Sequence, residues 1–487
     1  MRLGFLLALL SCGGVSPRPA SPGPRGWRYV FSLDEALGRL DAEICFDGPP
    51  PPSLRSTDAE AEPLLLSATA HVGGRDVDIS AREGRIALPA GCSCARYAVD
   101  LERATDRRRG VRLATRSGED VVLPTGSWLW GPVRRPAGFR ATARFRLPPS
   151  VNVSVPWPRE GEDFVLREPA YHFMAYAAFG RFEIEEYDAA GTTLQVARLD
   201  GPDGRPDAVL VREWLTAQAG AAASLYGRLG FDRAQIVVLP VGPAAEDSPA
   251  PFGTVSRGGG ASLIILLAEN ADPVRLRCDW VAVHELTHLS LPFVRREDAW
   301  ISEGIATYFQ EVLRARGGLV DPIEAWRAMD VGFRQGRRGT GRTLQDESRL
   351  MFRTFAFQRV YWGGAAIAFF ADVEIRAHSG GRKSLESALR TMDPFATRTL
   401  SADEVMAQID RAVGAPIFSR IARRHLASRE APDPAETYRR LGIVREEIGV
   451  RLVDGPDSAI RDAITAARDP DPPLQETRGS PGGSPAP

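Results

Sequence analysis

The stretch from Trp280 to Arg316 constrains the fold more than any other part of the chain. It reads WVAVHELTHLSLPFVRREDAWISEGIATYFQEVLRAR. His284 and His288 are four residues apart, which places both imidazoles one turn apart on the same face of a helix. Pro292 interrupts that helix and gives the chain room to turn back. The pattern therefore predicts two helices that together hold one metal ion.

Three side chains of this stretch have the chemistry of zinc ligands, and a fourth has that of a general base. Imidazole nitrogens and carboxylate oxygens are usual zinc ligands, so we predict that His284, His288 and Glu303 hold one Zn²⁺ and leave a fourth position open. Glu303 falls on the second predicted helix, from Ala299 to about Arg316. Glu285 lies beside the histidine face, in the general-base position of a His-Glu-x-x-His zinc hydrolase. A buried helix pair with incidental histidines is the alternative.

Two more segments carry a resemblance to a known family. They read Trp300-Ile-Ser-Glu-Gly-Ile-Ala-Thr-Tyr-Phe and Val360-Tyr-Trp-Gly-Gly-Ala-Ala, the second followed by Gly380-Gly-Arg-Lys-Ser-Leu. Together with the His-Glu-x-x-His run, they resemble the gluzincin zinc metallopeptidases of the thermolysin-like clan, and especially the glycyl-aminopeptidase-like family. The resemblance implies a zinc enzyme that hydrolyses peptide bonds in a peptide or protein substrate.

The resemblance also implies roles for individual residues. Glu285 would take the proton of the attacking water and pass it to the leaving amine. Tyr361 occupies the tyrosine position of the family's Y-x-K-G-A helix, and a phenol can donate a hydrogen bond to an oxyanion. An aromatic anchor in a buried helix is the alternative for Tyr361, because its neighbours are apolar.

The chain departs from the aminopeptidases of this clan where they bind the substrate. In those relatives a glycine-rich edge strand binds the extended substrate backbone, which predicts this role for Gly258, Gly259 and Gly260 unless they merely start a core strand. Relatives place a glutamate just after the glycines to hold the substrate's amino group, whereas this chain has Ala261 and Ser262. The choice between exopeptidase and endopeptidase therefore stays open.

A second departure motivates alternative functions. Gly363 stands where the family's helix usually has lysine. Together with the missing glutamate, this substitution favours, as the alternative, a catalytically silent, lipid-anchored binding protein that keeps the gluzincin fold. A hydrolase acting on small esters or epoxides instead of peptides is a third possibility.

Chain length and periodicity indicate the remaining organisation. A chain of 487 residues with 44% apolar residues and a formal net charge of −1 is long enough for two to four domains, and nothing in its charge suggests nucleic-acid binding. The predicted fold class is α+β and multidomain, with an N-terminal β-sandwich, a thermolysin-like catalytic domain and a C-terminal α-helical domain. The predicted segments are a signal peptide with lipobox (1–12), a flexible tether (13–26), the β-domain (27–163), the catalytic domain (164–395), the helical domain (396–468) and a disordered tail (469–487).

The N-terminus has the features of a short secretory signal. One arginine precedes an apolar run from Leu3 to Leu10, and Leu-Leu-Ser-Cys12 resembles the bacterial lipobox, which implies lipidation of Cys12. We therefore expect an exported bacterial protein, lipid-anchored to the cell envelope, whose membrane contact is made only through this end. A plain signal sequence and the apolar start of a cytosolic chain are the alternatives.

Three cysteines fall in the predicted β-domain. Export would permit a disulfide from Cys45 to either Cys92 or Cys94. Free buried thiols are the alternative, and the sequence does not choose between the two pairings.

Overall fold

The structure is a computed structural model that describes residues 26–467, except 107–112, 133–138, 203, 244–247, 338–340 and 395–397. The predicted signal segment with Cys12 and the predicted tail lie outside the described residues. The predicted tether also lies outside them, except for Gly26. Within the described part, a sheet-rich N-terminal region is followed by a mixed sheet and then by a helical C-terminal region. This arrangement agrees with the predicted α+β class.

The largest sheet of the described residues lies in the N-terminal region and has eight strands. The elements of this region are β1 (Gly26–Leu33), β2 (Arg39–Phe46), β3 (Ser53–Ser56), β4 (Leu65–Val72), β5 (Arg75–Asp78), β6 (Ala81–Arg82), β7 (Arg85–Ala87), β8 (Cys92–Asp100), α1 (Leu101–Ala104), β9 (Thr115–Ser117), β10 (Asp120–Pro124), β11 (Trp130–Pro132), β12 (Arg140–Arg146), β13 (Asn152–Ser154), β14 (Arg159–Glu160), β15 (Asp163–Leu166) and β16 (Tyr176–Gly180). The eight-stranded sheet has the order β14-β15-β12-β1-β2-β8-β4-β5, and two four-stranded sheets have the orders β13-β16-β10-β9 and β11-β3-β7-β6.

Alternation of apolar residues builds the core of this region. Successive side chains of a strand point to opposite faces, so Trp27, Tyr29 and Phe31 of β1 all point to the buried face. The ring of Phe31 meets the ring of Trp128 edge-on at 4.8 Å. Because β16 pairs with β10 and β13, the N-terminal sheets continue to Gly180, beyond the boundary predicted at 163.

A disulfide ties two neighbouring strands of the large sheet together. Cys45 of β2 and Cys94 of β8 are directly opposite each other in the register and are bonded, whereas Cys92 is a buried free thiol. The bond closes a loop of 49 residues in sequence. A cross-link over such a loop stabilises a protein chiefly by restricting the unfolded chain.

We expect the double variant Cys45→Ala/Cys94→Ala to lose about 2–4 kcal/mol of unfolding free energy. Chemical denaturation of the oxidised wild type and of the variant measures this loss. Cys92→Ala serves as the control, since it removes a buried thiol without opening the loop. Equal unfolding free energies for wild type and double variant would contradict the prediction.

The next part of the chain forms a mixed five-stranded sheet. Its elements are β17 (Glu183–Ala189), β18 (Thr192–Arg198), α2 (Ala208–Ala223), β19 (Arg233–Val241), β20 (Phe252–Ser256) and β21 (Ala261–Ala268), with the strand order β17-β18-β19-β21-β20. The three central strands are parallel, and β20 is an antiparallel edge strand. The strand that follows the glycines, β21, is therefore an interior strand.

Helices make up most of the rest. They are α3 (Pro273–Arg277), α4 (Val281–Leu289), α5 (Ala299–Arg316), α6 (Pro322–Gly336), α7 (Leu344–Thr354), α8 (Phe357–Ser379), α9 (Leu385–Leu389), α10 (Ala402–Val413), α11 (Ile417–Leu426), α12 (Ala435–Leu441) and α13 (Ser458–Thr465), with a small hairpin of β22 (Ile443–Arg445) and β23 (Val450–Leu452). Among the described residues, no helix combines the length and the apolar character needed to cross a membrane.

Glycines allow α5 and α8 to cross with their backbones in contact. A methyl group at Gly364 of α8 would lie 2.0 Å from the carbonyl oxygen of Trp300, and one at Gly304 of α5 would lie 2.4 Å from the carbonyl carbon of Gly364. Neither position can therefore carry a side chain without separating the helices. Glu303 immediately precedes Gly304, and Tyr361 lies about one helical turn before Gly364. The crossing of α5 and α8 therefore sets the distance between Glu303 and Tyr361.

Candidate metal centre

Three side chains from two helices meet at one point. His284 and His288 lie one turn apart on α4, and their Nε2 atoms are 3.0 Å apart. Oε2 of Glu303, on α5, lies 3.4 Å from Nε2 of His284 and 3.2 Å from Nε2 of His288. The structure thus brings together the three predicted ligands.

These distances suit a tetrahedral zinc ion. Ligand atoms about 2.05 Å from zinc at tetrahedral angles are about 3.3 Å from one another, close to the three separations observed. The His284 side chain is only 3% exposed, whereas those of His288 and Glu303 retain 14% and 20% exposure. The cluster is therefore buried on the His284 side and accessible on the side of the other two ligands.

A glutamine that the sequence analysis missed fixes the orientation of His284. Nδ1 of His284 lies 2.8 Å from Oε1 of Gln310, and Nε2 of Gln310 donates to Oε1 of Glu311 at 2.9 Å. The second bond orients the amide so that its oxygen faces the imidazole, which assigns the proton to Nδ1 and leaves the Nε2 lone pair for a metal. Glu311 in turn accepts from Arg314 at 2.6 Å. The sequence contains one indication of this contact, because Gln310 lies seven residues after Glu303 and therefore on the same face of α5.

We expect Gln310→Ala to weaken zinc affinity about 10–100-fold, because partners of ligating histidines have effects of this size. Competition with a chromogenic chelator measures the affinity. Gln218→Ala is the matched control, since Gln218 is a buried glutamine that donates to the backbone of Arg277. Unchanged zinc affinity in Gln310→Ala would show that the hydrogen bond does not orient the ligand.

Glu285 is buried beside the cluster, against the edge strand of the mixed sheet. A methyl group at Gly253 of β20 would lie 2.7 Å from Cγ of Glu285, so the glycine allows the strand and the carboxylate to pack closely. Burial raises the pKa of Glu285 to about 7; nearby His284 opposes this shift and the Glu303 carboxylate adds to it. Glu285, the predicted general base, thus lies beside the three candidate ligands and is not one of them.

Tyr361 covers the other side of the cluster. Its ring stacks on that of His284, with centroids 6.1 Å apart and planes 10° apart, and its hydroxyl lies near the carboxylate of Glu303. Burial raises the pKa of Tyr361, and the carboxylates of Glu303 and Glu285 raise it further, so the phenol keeps its proton. Burial opposes ionisation of Glu303, but its contacts with His288 and His284 outweigh burial and hold its pKa well below its usual range.

Gly258, Gly259 and Gly260 do not form an edge strand, so that part of the prediction is wrong. They lie in the turn between β20 and β21 and pack against the N-terminal region: methyl groups at Gly258 and Gly260 would lie 2.5 Å and 2.0 Å from the carbonyl oxygens of Phe173 and Pro156. Their lack of side chains serves this close packing.

The edge strand beside the cluster is β20, whose sequence is FGTVS. It contains no acidic residue. Ser262, one of the residues found where relatives have glutamate, is fully buried on β21 and donates to Gln235 at 2.7 Å. Neither strand therefore offers a carboxylate for a substrate's amino group.

The missing lysine also has a packing explanation. A methyl group at Gly363 would meet the two Cδ atoms of Leu344 at 3.0 and 3.2 Å. A long side chain at this position would require the side chain of Leu344, on α7, to move. The space that the family's lysine would occupy is thus filled by α7.

Comparison with known proteins shows the fold. No protein-family model and no curated protein matches this chain. The structure is similar to that of an aminopeptidase N family protein from Idiomarina loihiensis, with a TM-score of 0.66 and 16% identity over 86% of this chain and 78% of the other. It is also similar to an M1 zinc metallopeptidase from Deinococcus radiodurans, with a TM-score of 0.52 and 14% identity over 84% and 94% of the two chains. A mutant of the latter has been solved with a Tyr-Ser-Ala substrate and has a TM-score of 0.52 and 14% identity over 85% and 96%.

At these identities the similarity establishes a shared multidomain fold. It agrees with the predicted zinc-metallopeptidase architecture at the level of the M1 enzymes. Membership of the glycyl-aminopeptidase-like family stays a prediction.

Proposed function

We propose that this chain is a zinc-dependent peptidase. The observation that carries the proposal is the meeting of His284, His288 and Glu303 at tetrahedral spacing, with Glu285 and Tyr361 beside them. The shared fold with M1 zinc metallopeptidases, one of them bound to a tripeptide substrate, supports it. A glycyl-aminopeptidase-like ancestry, argued from the sequence, belongs to the same proposal.

Bound metal, Glu285 and Tyr361 have separate roles in the proposed hydrolysis. Bound Zn²⁺ would act as a Lewis acid toward the scissile carbonyl and lower the pKa of water. Glu285 takes one proton from the attacking water and delivers it to the leaving nitrogen as the C–N bond breaks, so that water's oxygen ends on the acyl carbon. The Tyr361 hydroxyl donates to the carbonyl oxygen as negative charge develops on it.

We further propose that the protein is exported and lipidated at Cys12, which would place the peptidase at the bacterial envelope. The disulfide between Cys45 and Cys94 supports an oxidising compartment, since disulfides persist there and are rare in the cytosol. Metabolic labelling with a palmitate analogue, compared between wild type and Cys12→Ala, tests the lipid. Labelling that persists in Cys12→Ala would refute attachment at this residue.

A peptide pool tests the proposed activity. We expect the full chain to cut the pool, a chelator to stop the cutting, and added Zn²⁺ to restore it, as read by mass spectrometry of the products. A folded, zinc-containing protein that leaves every peptide intact would support the silent binding protein. Turnover of small esters without peptide cleavage would support the non-peptide hydrolase.

A further inference from the structure

The exposed tryptophan and phenylalanine residues of the described chain lie on elements that form the candidate metal centre or adjoin it in sequence. They are Phe252, Trp280, Phe293, Phe352 and Phe355. Each lies on an element that contributes to the centre or directly adjoins it: β20, the start of α4, the loop from α4 to α5, and the junction of α7 and α8. Exposed aliphatic residues also occur in remote places, such as Leu66 in β4 and Ile448 in the β22–β23 turn. Exposed apolar residues that cluster indicate a binding surface, whereas scattered ones do not.

One of these aromatic residues, Trp280, lies at the start of α4, and Phe252 lies on the neighbouring edge strand. Trp280 is 41% exposed, and its ring meets the ring of His284 edge-on at 5.6 Å. Phe252 immediately precedes Gly253, the edge-strand residue that packs on Glu285. Because successive side chains of a strand point to opposite faces, Phe252 lies on the face of β20 away from Glu285, and Trp280 is the exposed ring beside His284 at this end of the centre.

A chain of rings extends from Tyr361 to the surface. Phe357 lies 6.4 Å from Tyr361, and it contacts Phe352 at 5.7 Å and Phe355 at 6.2 Å between ring centroids. Phe355 is 76% exposed and has a φ of +55°, a backbone conformation that bulky residues rarely adopt. The fold therefore holds an apolar ring in water at a strained position, a combination that points to function rather than to packing.

Phe293 marks the opposite end of α4, beyond His288. Its ring meets that of Phe173 edge-on at 5.3 Å, and both residues line a cavity of about 640 Å³ between the N-terminal region and the mixed sheet. Arg257 also lines this cavity and donates to the backbone oxygen of His288. The cavity thus lies beyond the C-terminal end of α4, with Phe293 on its lining.

From this arrangement we propose that the centre binds extended polypeptide segments with large apolar side chains on both sides of the scissile bond, and cuts them internally. The proposal rests on the proposed peptidase function. From Trp280 to Leu289 is about 13.5 Å along the helix, which matches about four extended residues. The aromatic rings lie at both ends of this span, whereas the edge strand has no carboxylate to hold a free amino group. Apolar recognition along the chain thus replaces recognition of the amino terminus.

Matched peptides test this inference. One set has large apolar residues on both sides of the cut and the other has serine there, and each peptide is made with a free and with an acetylated amino terminus. For the wild type we expect kcat/KM to be about tenfold or more higher for the apolar set, because one pocket contact can discriminate by that factor. Acetylation should leave kcat/KM unchanged for both sets.

Phe355→Gly separates a functional role from a structural one. Glycine adopts this φ without strain, so the melting temperature should stay the same or rise. The variant should lose most of the apolar preference, through a KM that rises more for the apolar set than for the serine set. Ile448→Ala, at a residue that is 90% exposed and remote in the fold, is the control and should keep the wild-type preference.

The outcomes are distinct. Cleavage without apolar preference, or preference retained in Phe355→Gly, would overturn this inference and leave the peptidase intact. A strict requirement for a free amino terminus would also overturn it. Absence of cleavage of every peptide by the zinc-loaded wild type would overturn the proposed function and the inference with it.

Discussion

Replacing Glu285 with glutamine is expected to lower kcat by about 10²–10⁴-fold, the range that general-base catalysis contributes. The amide has nearly the shape of the carboxylate but cannot take a proton from water. Because Glu285 lies outside the three-ligand cluster, the variant should still bind one zinc ion. Steady-state kinetics on a peptide that the wild type cuts, with metal analysis of the same sample, measure both quantities.

Glu374→Gln provides the control for this substitution. Glu374 lies on α8 and pairs with Arg440 at 2.5 Å, so the same chemical change occurs in the same fold away from the centre. It should keep the wild-type kcat. Undiminished hydrolysis by Glu285→Gln would show that another group is the base, and loss of zinc would show that the carboxylate also supports the ligands.

The ligand cluster could be predicted because its geometry is local. The helical repeat fixes the positions of His284 and His288, and a break after them allows a second helix to bring Glu303. The role of Gln310 could not be predicted in the same way. The helical repeat places Gln310 on the same face of α5 as Glu303, but it does not show whether the Gln310 side chain reaches a histidine. Its contact depends on how α4 and α5 pack, which is a long-range property.

The same limit explains the glycines and the cysteines. Glycine permits the close approach of a substrate strand and equally that of another part of the protein, and the sequence around Gly258 does not distinguish these uses. Cys92 and Cys94 are two residues apart, so the period of a regular strand predicts the same face for both and does not separate them. The register of β8 against β2, which places Cys94 opposite Cys45, makes the choice between them.

Replacing Tyr361 with phenylalanine is expected to lower kcat by about 10²–10³-fold with little change in KM, as for other single oxyanion donors. The hydroxyl gains a full hydrogen-bond acceptor only when charge develops on the carbonyl oxygen, so its loss should affect the transition state and not substrate binding. The ring stays, and with it the stacking on His284. Kinetics across a range of substrate concentrations separate kcat from KM.

Tyr438→Phe is the matched control, because Tyr438 is also buried and its hydroxyl has no hydrogen-bond partner in the described part of the chain. It should leave kcat unchanged. Because the Tyr361 hydroxyl lies near the Glu303 carboxylate, the experiment also tests a positioning role: a hydroxyl that acted only by orienting that ligand would lower zinc affinity when removed. A fall in kcat at full zinc occupancy therefore assigns Tyr361 to the oxyanion. A fall in zinc affinity with kcat restored by excess Zn²⁺ would instead make it a positioning residue for Glu303.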